Sequence, residues 1–587
     1  MRRPALIRDH EITAVLQSAS IAALSLAEES CLGLVLRVDV DALVATLAAL
    51  KDSDLGFAQL IDLFGADLLE KRGVIEVTYR LRSLERDFDL FVKTDLEAGG
   101  VLPSVTGLYL SALLPEREAA EMFGLSLTGH PNPKHLLLTD GVPPMLLKSV
   151  PIRSAEESRV AELPKDDLSL QLYNDFMDRG IVPPEDPDDP LQNYLFAGWI
   201  SPEPPEGPLV PRNIRRVPDD PDALATDHYL LQMGPQHPST HGVLNMVLEM
   251  DGETIISSEA HVGNLHRGIE KLAESRRYNQ LGTLVDRGDY VGGINTEMAV
   301  ALSVEKLAEI EVPQRASWIR VLMAEINRLA SNYLWIGPCG LDSGAMGIFL
   351  FCLYDRERWQ EVLEEVTGQR LMFNYVRPGG VVADITPRAV ALIEDMLKDA
   401  DSRLDEHFEA FMASEIFQQR TRGVGVVTKE DALSLGATGF VARASGIDWD
   451  LRRDRPYAAY DKMDFEVMTA DDGDIWSRML CRFDEQRQSL RMIRQCLDGM
   501  PEGDFMAKMP RVLRVPEGEA AVPVEAVRGE MEAHIYSDGS DKPYRMRYRP
   551  PTLFSLMISD LTLPGHFLAD AIVNLGSFDF CFGEVDR

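Results

Sequence analysis

Basic residues, closely spaced cysteines and long apolar runs are all scarce in this chain, and each scarcity removes a class of function. Lys and Arg number 59 against 94 Asp and Glu, a net charge of −35. Sequence-independent binding of nucleic acid needs cations to neutralise phosphates, so that class is excluded. Docking on anionic lipid headgroups needs basic patches as well, so membrane contact is expected only through partner proteins. The six cysteines, Cys31, Cys339, Cys352, Cys481, Cys496 and Cys581, include no CxxC pair. They give no disulfide framework and fit a reducing compartment. No stretch approaches the roughly 18 apolar residues of a membrane helix; MGIFLFCLY at 346–354 is too short. Residues 12–27 are apolar and follow Arg2 and Arg3, but Asp9 and Glu11 interrupt that basic flank. Ile12, Val15, Leu16, Ala19, Ala23 and Leu26 recur at helical spacing. This predicts an amphipathic helix rather than a secretion signal, and a cytoplasmic protein.

What is present is an ordinary globular balance, 45% hydrophobic and 26% charged over 587 residues. A chain of that length is expected to hold two or three domains. Residues 1–150 carry the pattern of a small α+β domain. LGLVLRVDV reads as a strand and DALVATLAALKD as a helix; GVIEVTYRLRSL and FDLFVKTDL read as paired strands. PEREAAEMFG reads as a helix stopped by Gly124. PPEDPDDP, SPEPPEGP and VPDDPDA then mark 151–225 as a Pro- and acid-rich linker, since such stretches neither bury a core nor hold a ladder. Residues 226–587 are expected to form a second, mainly helical domain with a β-rich start. HYLLQMGP, VLNMVLEM and TIISSEAHV supply strands, the last two joined by an Asp251-Gly252 turn. Helical patterns follow at 298–310, 315–337 and 475–500. The expected class is α+β.

Four stretches could carry chemistry. GPQHPSTHG at 234–242 places His237 and His241 four apart. Its prolines and glycines disfavour the helix that a zinc-binding pair at this spacing requires. A strand–loop–strand instead puts two imidazoles on a tight loop, and imidazole exchanges protons near neutral pH. Spacing alone leaves open whether these histidines act chemically or only satisfy backbone groups. EAHVGNLHRGIEK at 259–271 adds His261, His266 and Arg267. LVDRGDYVGG at 284–293 adds Asp286, Arg287, Asp289 and Tyr290. LDSGAMG at 341–347 supplies Asp342, expected just after a long helix. Taken singly, each has a structural reading as an ion pair, a cap or a buried hydroxyl.

Taken in order, GPQHPSTHG, HVGNLHRGIEKL, DRGDY, WIRVLMAEINRL, RPGG, RASG and GEVDR resemble the D (49-kDa) subunit of proton-translocating NADH:quinone oxidoreductase, respiratory complex I. The resemblance covers about 226–587. SVTGLYLSALLPEREAAEMFG, with GHP at 129–131, is similar to the C (30-kDa) subunit, although the tryptophan usual before ERE is absent and PPMLLKSVP replaces the customary ending. The whole chain thus resembles a fused C–D subunit of the bacterial enzyme.

The resemblance implies a nickel–iron hydrogenase large-subunit-like fold for the second domain and a place in the peripheral arm. It implies that His241 meets the quinone headgroup, that Tyr290 hydrogen-bonds the other carbonyl, and that Asp342 pairs with the histidine. Arg267 matches an arginine beside the terminal iron–sulfur cluster, which belongs to a neighbouring subunit. No cofactor is expected on this chain alone and no metal; quinone is the substrate. The implied partners are subunits B, I and G of the peripheral arm and H of the membrane arm, on the cytoplasmic side of the bacterial inner membrane.

Two departures stand out. Gly282 and Gly288 replace larger family residues, which suggests a reshaped or looser wall around Tyr290. Met372 stands where the family has a histidine near the cluster, and a thioether cannot titrate. Two rival readings fit less well. A nickel–iron hydrogenase needs four thiolates, but Asp289, Gly292 and Glu584 fill three of those slots beside Cys581. A non-catalytic scaffold would have no need of His241, Tyr290 and Asp342 together.

Overall fold

Alternation along VIEVTYRLRS makes strand β4 (Val74–Ser83) two-faced. Ile75, Val77, Tyr79 and Leu81 enter the N-terminal core, while Glu76, Thr78, Arg80 and Arg82 form a polar row that is equally buried. The computed structural model describes residues 7–29, 31–139, 141–152, 228–236 and 242–587. The described residues within 1–147 and 222–587 form one compact unit. The expected linker lies outside the described residues, apart from 151 and 152. Helices and sheets are both present, which places the chain in the α+β class.

Around β4 the N-terminal sheet has the order β1-β2-β5-β4-β3. Its strands are β1 (Ser25–Glu29), β2 (Gly33–Arg37), β3 (Gln59–Leu68) and β5 (Phe88–Leu96). The β2–β5 pair is parallel and the other neighbours are antiparallel. Helices α1 (Asp9–Ser18), α2 (Leu43–Lys51) and α3 (Leu113–Phe123) accompany it, with a short parallel pair β6 (Val101–Pro103) and β7 (Ser126–Thr128). Gly124 ends α3 in the left-handed region, φ +67°, as the sequence predicts. The helix expected over 12–27 is shorter. It stops at Ser18, and Leu26 lies in β1, whose backbone is held by the β2 ladder.

The second part opens with the expected meander of β8 (Tyr229–Met233), β9 (Asn245–Asp251) and β10 (Thr254–His261), turning at Gly252 with φ +60°. Helices α4 (Gly282–Val285), α5 (Gly293–Ala308), α6 (Gln314–Asp342) and α7 (Met346–Thr367) follow. A two-residue hairpin pairs β11 (Val376–Arg377) with β12 (Gly380–Val381), and α8 (Ile475–Gly499) comes later. Helix α6 continues through Pro338, so Asp342 is its last residue rather than one beyond it.

A further sheet departs from the expectation of strands only at the start of this domain. It comprises β13 (Gly518–Ala526), β14 (Gly529–Ser537) and β15 (Pro543–Arg549), all antiparallel. Helices α9 (Leu568–Ser577) and α10 (Phe582–Asp586) close the described chain.

The C-terminal sheet is two-faced in the same way as β4. Met531, Ala533 and Ile535 of β14 enter the large C-terminal core, while Glu530, Glu532, His534 and Tyr536 face the polar row of the N-terminal sheet. Arg80 Nη1 lies 2.7 Å from both Glu530 and Glu532. Lys93 bridges Glu76 at 3.0 Å and Glu519 of β13 at 2.7 Å. On β15, Arg547 pairs with Asp62 at 2.9 Å and Glu118 at 2.6 Å, and Arg545 pairs with Glu270 at 2.7 Å. A bulge between Leu60 and Asp62 of β3 frees the Ile61 carbonyl, which accepts from Arg549 Nε at 2.8 Å. His534 stacks on Tyr536 and meets Phe64 and Phe91 edge-on.

Removing one partner of a buried ion pair leaves the other charge uncompensated, which costs about 3–5 kcal/mol. Arg547→Ala is therefore expected to destabilise the folded chain by that amount in urea denaturation. A loss within experimental error of zero would show that this pairing does not hold the two sheets together.

Candidate functional site

Tyr290 sits in the loop between α4 and α5, and the residue before it shapes that loop. Asp289 is fully buried; its Oδ1 accepts from the amides of Val291 (3.3 Å) and Gly292 (3.0 Å). A side chain at 292 would collide with the Asp289 carboxylate, so glycine lets the loop fold back on its own acid. Arg528, in the turn between β13 and β14, donates to both Asp289 oxygens at 2.9 and 2.8 Å. The same guanidinium reaches Asp579 Oδ1 at 3.1 Å, and Asp579 Oδ2 accepts from Arg482 at 2.8 Å. The alternating charges fix the loop from below.

Segment 576–583 gathers three of the candidate elements. At one end, Gly583 packs against the Tyr290 ring; an added Cβ there would stand 3.3 Å from Tyr290 Cδ1. Phe582 fills the space beside Gly242, where a side chain would come within 2.8 Å of its ring. His241 and His237 lie outside the described residues, but Gly242 is the residue next to His241. At the other end, the Gly576 carbonyl accepts from Trp335 Nε1 at 2.7 Å and from Cys339 Sγ at 3.8 Å. Both belong to the last turns of α6, which ends at half-buried Asp342. Burial, and then the Asp342 charge, drive the Cys339 thiol far above its usual range. Phe578, Phe580 and Phe582 join the two ends as a run of stacked and edge-on rings.

Arg267 lies on the far side of α10. HVGNLHRG wraps that helix: Asp586 accepts from the amides of Gly263 (2.8 Å) and Leu265 (2.6 Å), and the Arg267 amide donates to the Arg587 carbonyl at 2.9 Å. The Arg267 side chain is exposed. Met372 is half-buried in the left-handed region, φ +57°.

The wall beside Tyr290 is not looser for having Gly288. A Cβ at 288 would come within 2.6 Å of the Tyr548 hydroxyl, so Tyr548 occupies the volume of the missing side chain. Cys581 is buried, as expected, and donates to the Gly288 carbonyl at 3.5 Å. The Cys581 sulfur, together with burial, pushes the Tyr290 phenol well above its usual range, so it remains a hydrogen-bond donor at neutral pH. Burial and the nearby Asp289 charge push Glu584 up to about 8; one of its oxygens accepts from Thr552. Arg528, Asp579 and Tyr548 belong to this site beside Glu584 of the GEVDR motif, and no sequence motif singled those three out. Arg528 is a lone cation in an otherwise apolar turn, which is the one signal that could have marked it.

Two family models match the chain. The respiratory-chain NADH dehydrogenase 30 Kd subunit matches residues 36–157, and the 49 Kd subunit matches 342–514 and 509–587. The second D subunit of NADH-quinone oxidoreductase from Solibacter usitatus is 41% identical over 364 residues, covering 62% of this chain and 98% of the relative. The second D subunit from Rhizobium etli is 42% identical over 392 residues, covering 62% and 97%. The Clostridium beijerinckii D subunit is 42% identical over 364 residues, covering 62% and 98%. The chain belongs to the family of NADH-quinone oxidoreductase D subunits. With the 30 Kd match ahead of it, the arrangement is that of a C–D fusion, an oxidoreductase component of complex I. The Arg528 guanidinium spans Asp289 and Asp579. Among the described residues, no helix is long and apolar enough to cross a membrane.

Restoring a side chain at 288 should overpack this wall. Gly288→Ala is expected to lower stability by about 1–3 kcal/mol in thermal denaturation, with part of the loss regained in Gly288→Ala/Tyr548→Phe. Strict additivity of the two substitutions would show that the Tyr548 hydroxyl does not occupy that space.

Proposed function

We propose that this chain forms the quinone-reducing site of its complex, with His241 and Tyr290 on the quinone oxygens and Asp342 pairing with the histidine. One observation carries the reading: segment 576–583 draws together Tyr290, the residue next to His241 and the end of the helix that bears Asp342. Converting a quinone to a quinol takes two electrons and two protons. Electrons would come from an iron–sulfur cluster in the neighbouring B subunit, and this chain's side chains supply or relay the protons. A phenol held in its protonated form donates to one carbonyl oxygen. An imidazole beside a carboxylate donates to the other and is re-protonated through its second nitrogen. Arg267, exposed beyond α10, is the residue that would face that cluster, its fixed positive charge favouring the reduced state.

In this reading the two parts, 1–150 and 226–587, are domains joined by the 151–225 linker, and the second has a nickel–iron hydrogenase large-subunit-like fold. Subunits I, G and H are the remaining partners. The net charge of −35 favours attachment to the cytoplasmic side of the bacterial inner membrane through those proteins rather than through lipid.

His241→Ala combined with Tyr290→Phe should lower quinone reduction by the assembled complex at least 100-fold, a general acid–base contribution being worth about 10²–10⁴. Electron entry from the donor to the cluster should be unchanged. Quinone reduction at the wild-type rate in the double variant would remove this assignment.

A further inference from the structure

Behind the Tyr290 loop, two carboxylates are shut away from solvent: Asp286 at the end of α4 and Glu297 in the second turn of α5. Helix packing brings them together. The Cβ position of Gly293 lies 3.4 Å from Asp286 Cβ, and Gly293 and Glu297 are four residues apart on one face of α5. Thr296 Oγ1 donates to the Val285 carbonyl at 3.1 Å and fastens the corner. Gly282 leaves room on the inner side; a Cβ there would stand 3.4 Å from Asn374 Oδ1 and 3.9 Å from Glu297 Cγ.

Each acid has one satisfied oxygen. Glu297 Oε2 accepts from the amides of Tyr375 and Val376, each at 2.8 Å. Asp286 Oδ1 accepts from Arg287 Nη1 at 3.2 Å. The other oxygen of each, Glu297 Oε1 and Asp286 Oδ2, and the nearby amide oxygen Asn374 Oδ1 are buried acceptors without a hydrogen-bond donor among the described residues. Leaving a buried polar atom unpaired costs about 1–3 kcal/mol, and two like charges at close quarters add to that. A single proton relieves both deficits, because it turns one acceptor into a donor and removes one negative charge.

The charged groups acting on the corner are few. Arg287 and, beyond it, Arg267 act on Asp286, and both are at least partly open to solvent. Glu297 feels Asp286 and the amides of the 374–376 segment. Farther along α5, Glu305 is already paired with Arg320 of α6 at 2.6 Å.

We propose that Asp286 and Glu297 hold one exchangeable proton between them, making this corner a buried proton site that opens toward Arg287. Burial and the Asp286 charge push Glu297 up to about 8, and burial, opposed by Arg287, pushes Asp286 up to about 6. The proton is therefore taken up and released in the neutral range. The sign of the linkage follows. The folded state binds a proton that the unfolded state has lost above the ordinary carboxylate range, so this stabilisation is present at acid pH and disappears as pH rises through about 8.

Infrared titration of the full chain, from about pH 5 to 9 so as to span those values, tests this. A protonated-carboxyl carbonyl band should titrate within that range in the wild type. One component of it should be missing from Glu297→Gln, whose amide oxygen keeps the bonds from Tyr375 and Val376, while the contributions of Asp286 and Glu584 remain. In Asp286→Asn the midpoint of the Glu297 component should fall by at least about one pH unit, because the repelling charge is gone. No component lost between wild type and Glu297→Gln, or a Glu297 component unmoved in Asp286→Asn, would overturn the proposal. If Glu297→Gln does not fold, the Asp286→Asn midpoint decides alone. The titration needs no quinone, so failure of the chamber assignment at His241 and Tyr290 would leave it untouched.

Discussion

Ion pairs buried between two sheets hold the N-terminal sheet against the C-terminal one. Each sheet gives one face to its own apolar core and the other to a shared polar layer, in which Arg80, Arg82, Lys93 and Arg547 meet Glu530, Glu519, Asp89 and Asp62. Paired charges of this kind add little net stability over an apolar layer of the same volume, but they are intolerant of mismatch. An alternative registration of the sheets would strand charges in a medium that cannot solvate them. The layer therefore acts mainly by excluding wrong arrangements.

That rigidity is passed to the site through the C-terminal sheet. The turn joining β13 and β14 carries Arg528, so the position of the guanidinium beneath the Tyr290 loop is set by strands whose polar face meets the N-terminal sheet. Asp289, Asp579 and Arg482 extend the same alternation toward α8. The Tyr290 ring is thus held by backbone anchored on paired acids, while its hydroxyl keeps a proton because the surroundings disfavour further negative charge. Holding a donor in place and keeping it protonated arise from the same arrangement.

Much of this was legible in the sequence, and what was missed has definite physical causes. The strands β4 and β5, the helices α2, α3, α5, α6 and α8, and the hairpin at Gly252 follow from periodicity and turn chemistry. β3 does not, because QLIDLFGADL is buried on both faces and shows no clean alternation. The alternation in β14 and β15 is the same strand signal as in β4, but it could not show that their polar rows are buried against a second sheet. Ordered motifs pointed to the family and to Tyr290 and Asp342 as residues of interest. Arg528 was invisible because its partners lie 239 and 51 residues away in the chain. Gly288 suggested an opening, since sequence cannot show that a tyrosine 260 positions later fills it.

Strand β14, buried on both faces, also bears on how such a chain comes to be made. During synthesis the N-terminal sheet emerges first and can fold as a unit, exposing a row of charges that water solvates without difficulty. The complementary row arrives several hundred residues later on the same polypeptide, and covalent linkage gives it an effective concentration that two separate proteins would lack. Encoding both halves in one chain also fixes their ratio at one to one. Neither half is then left in excess with an unmatched charged face, where it could pair with the wrong surface.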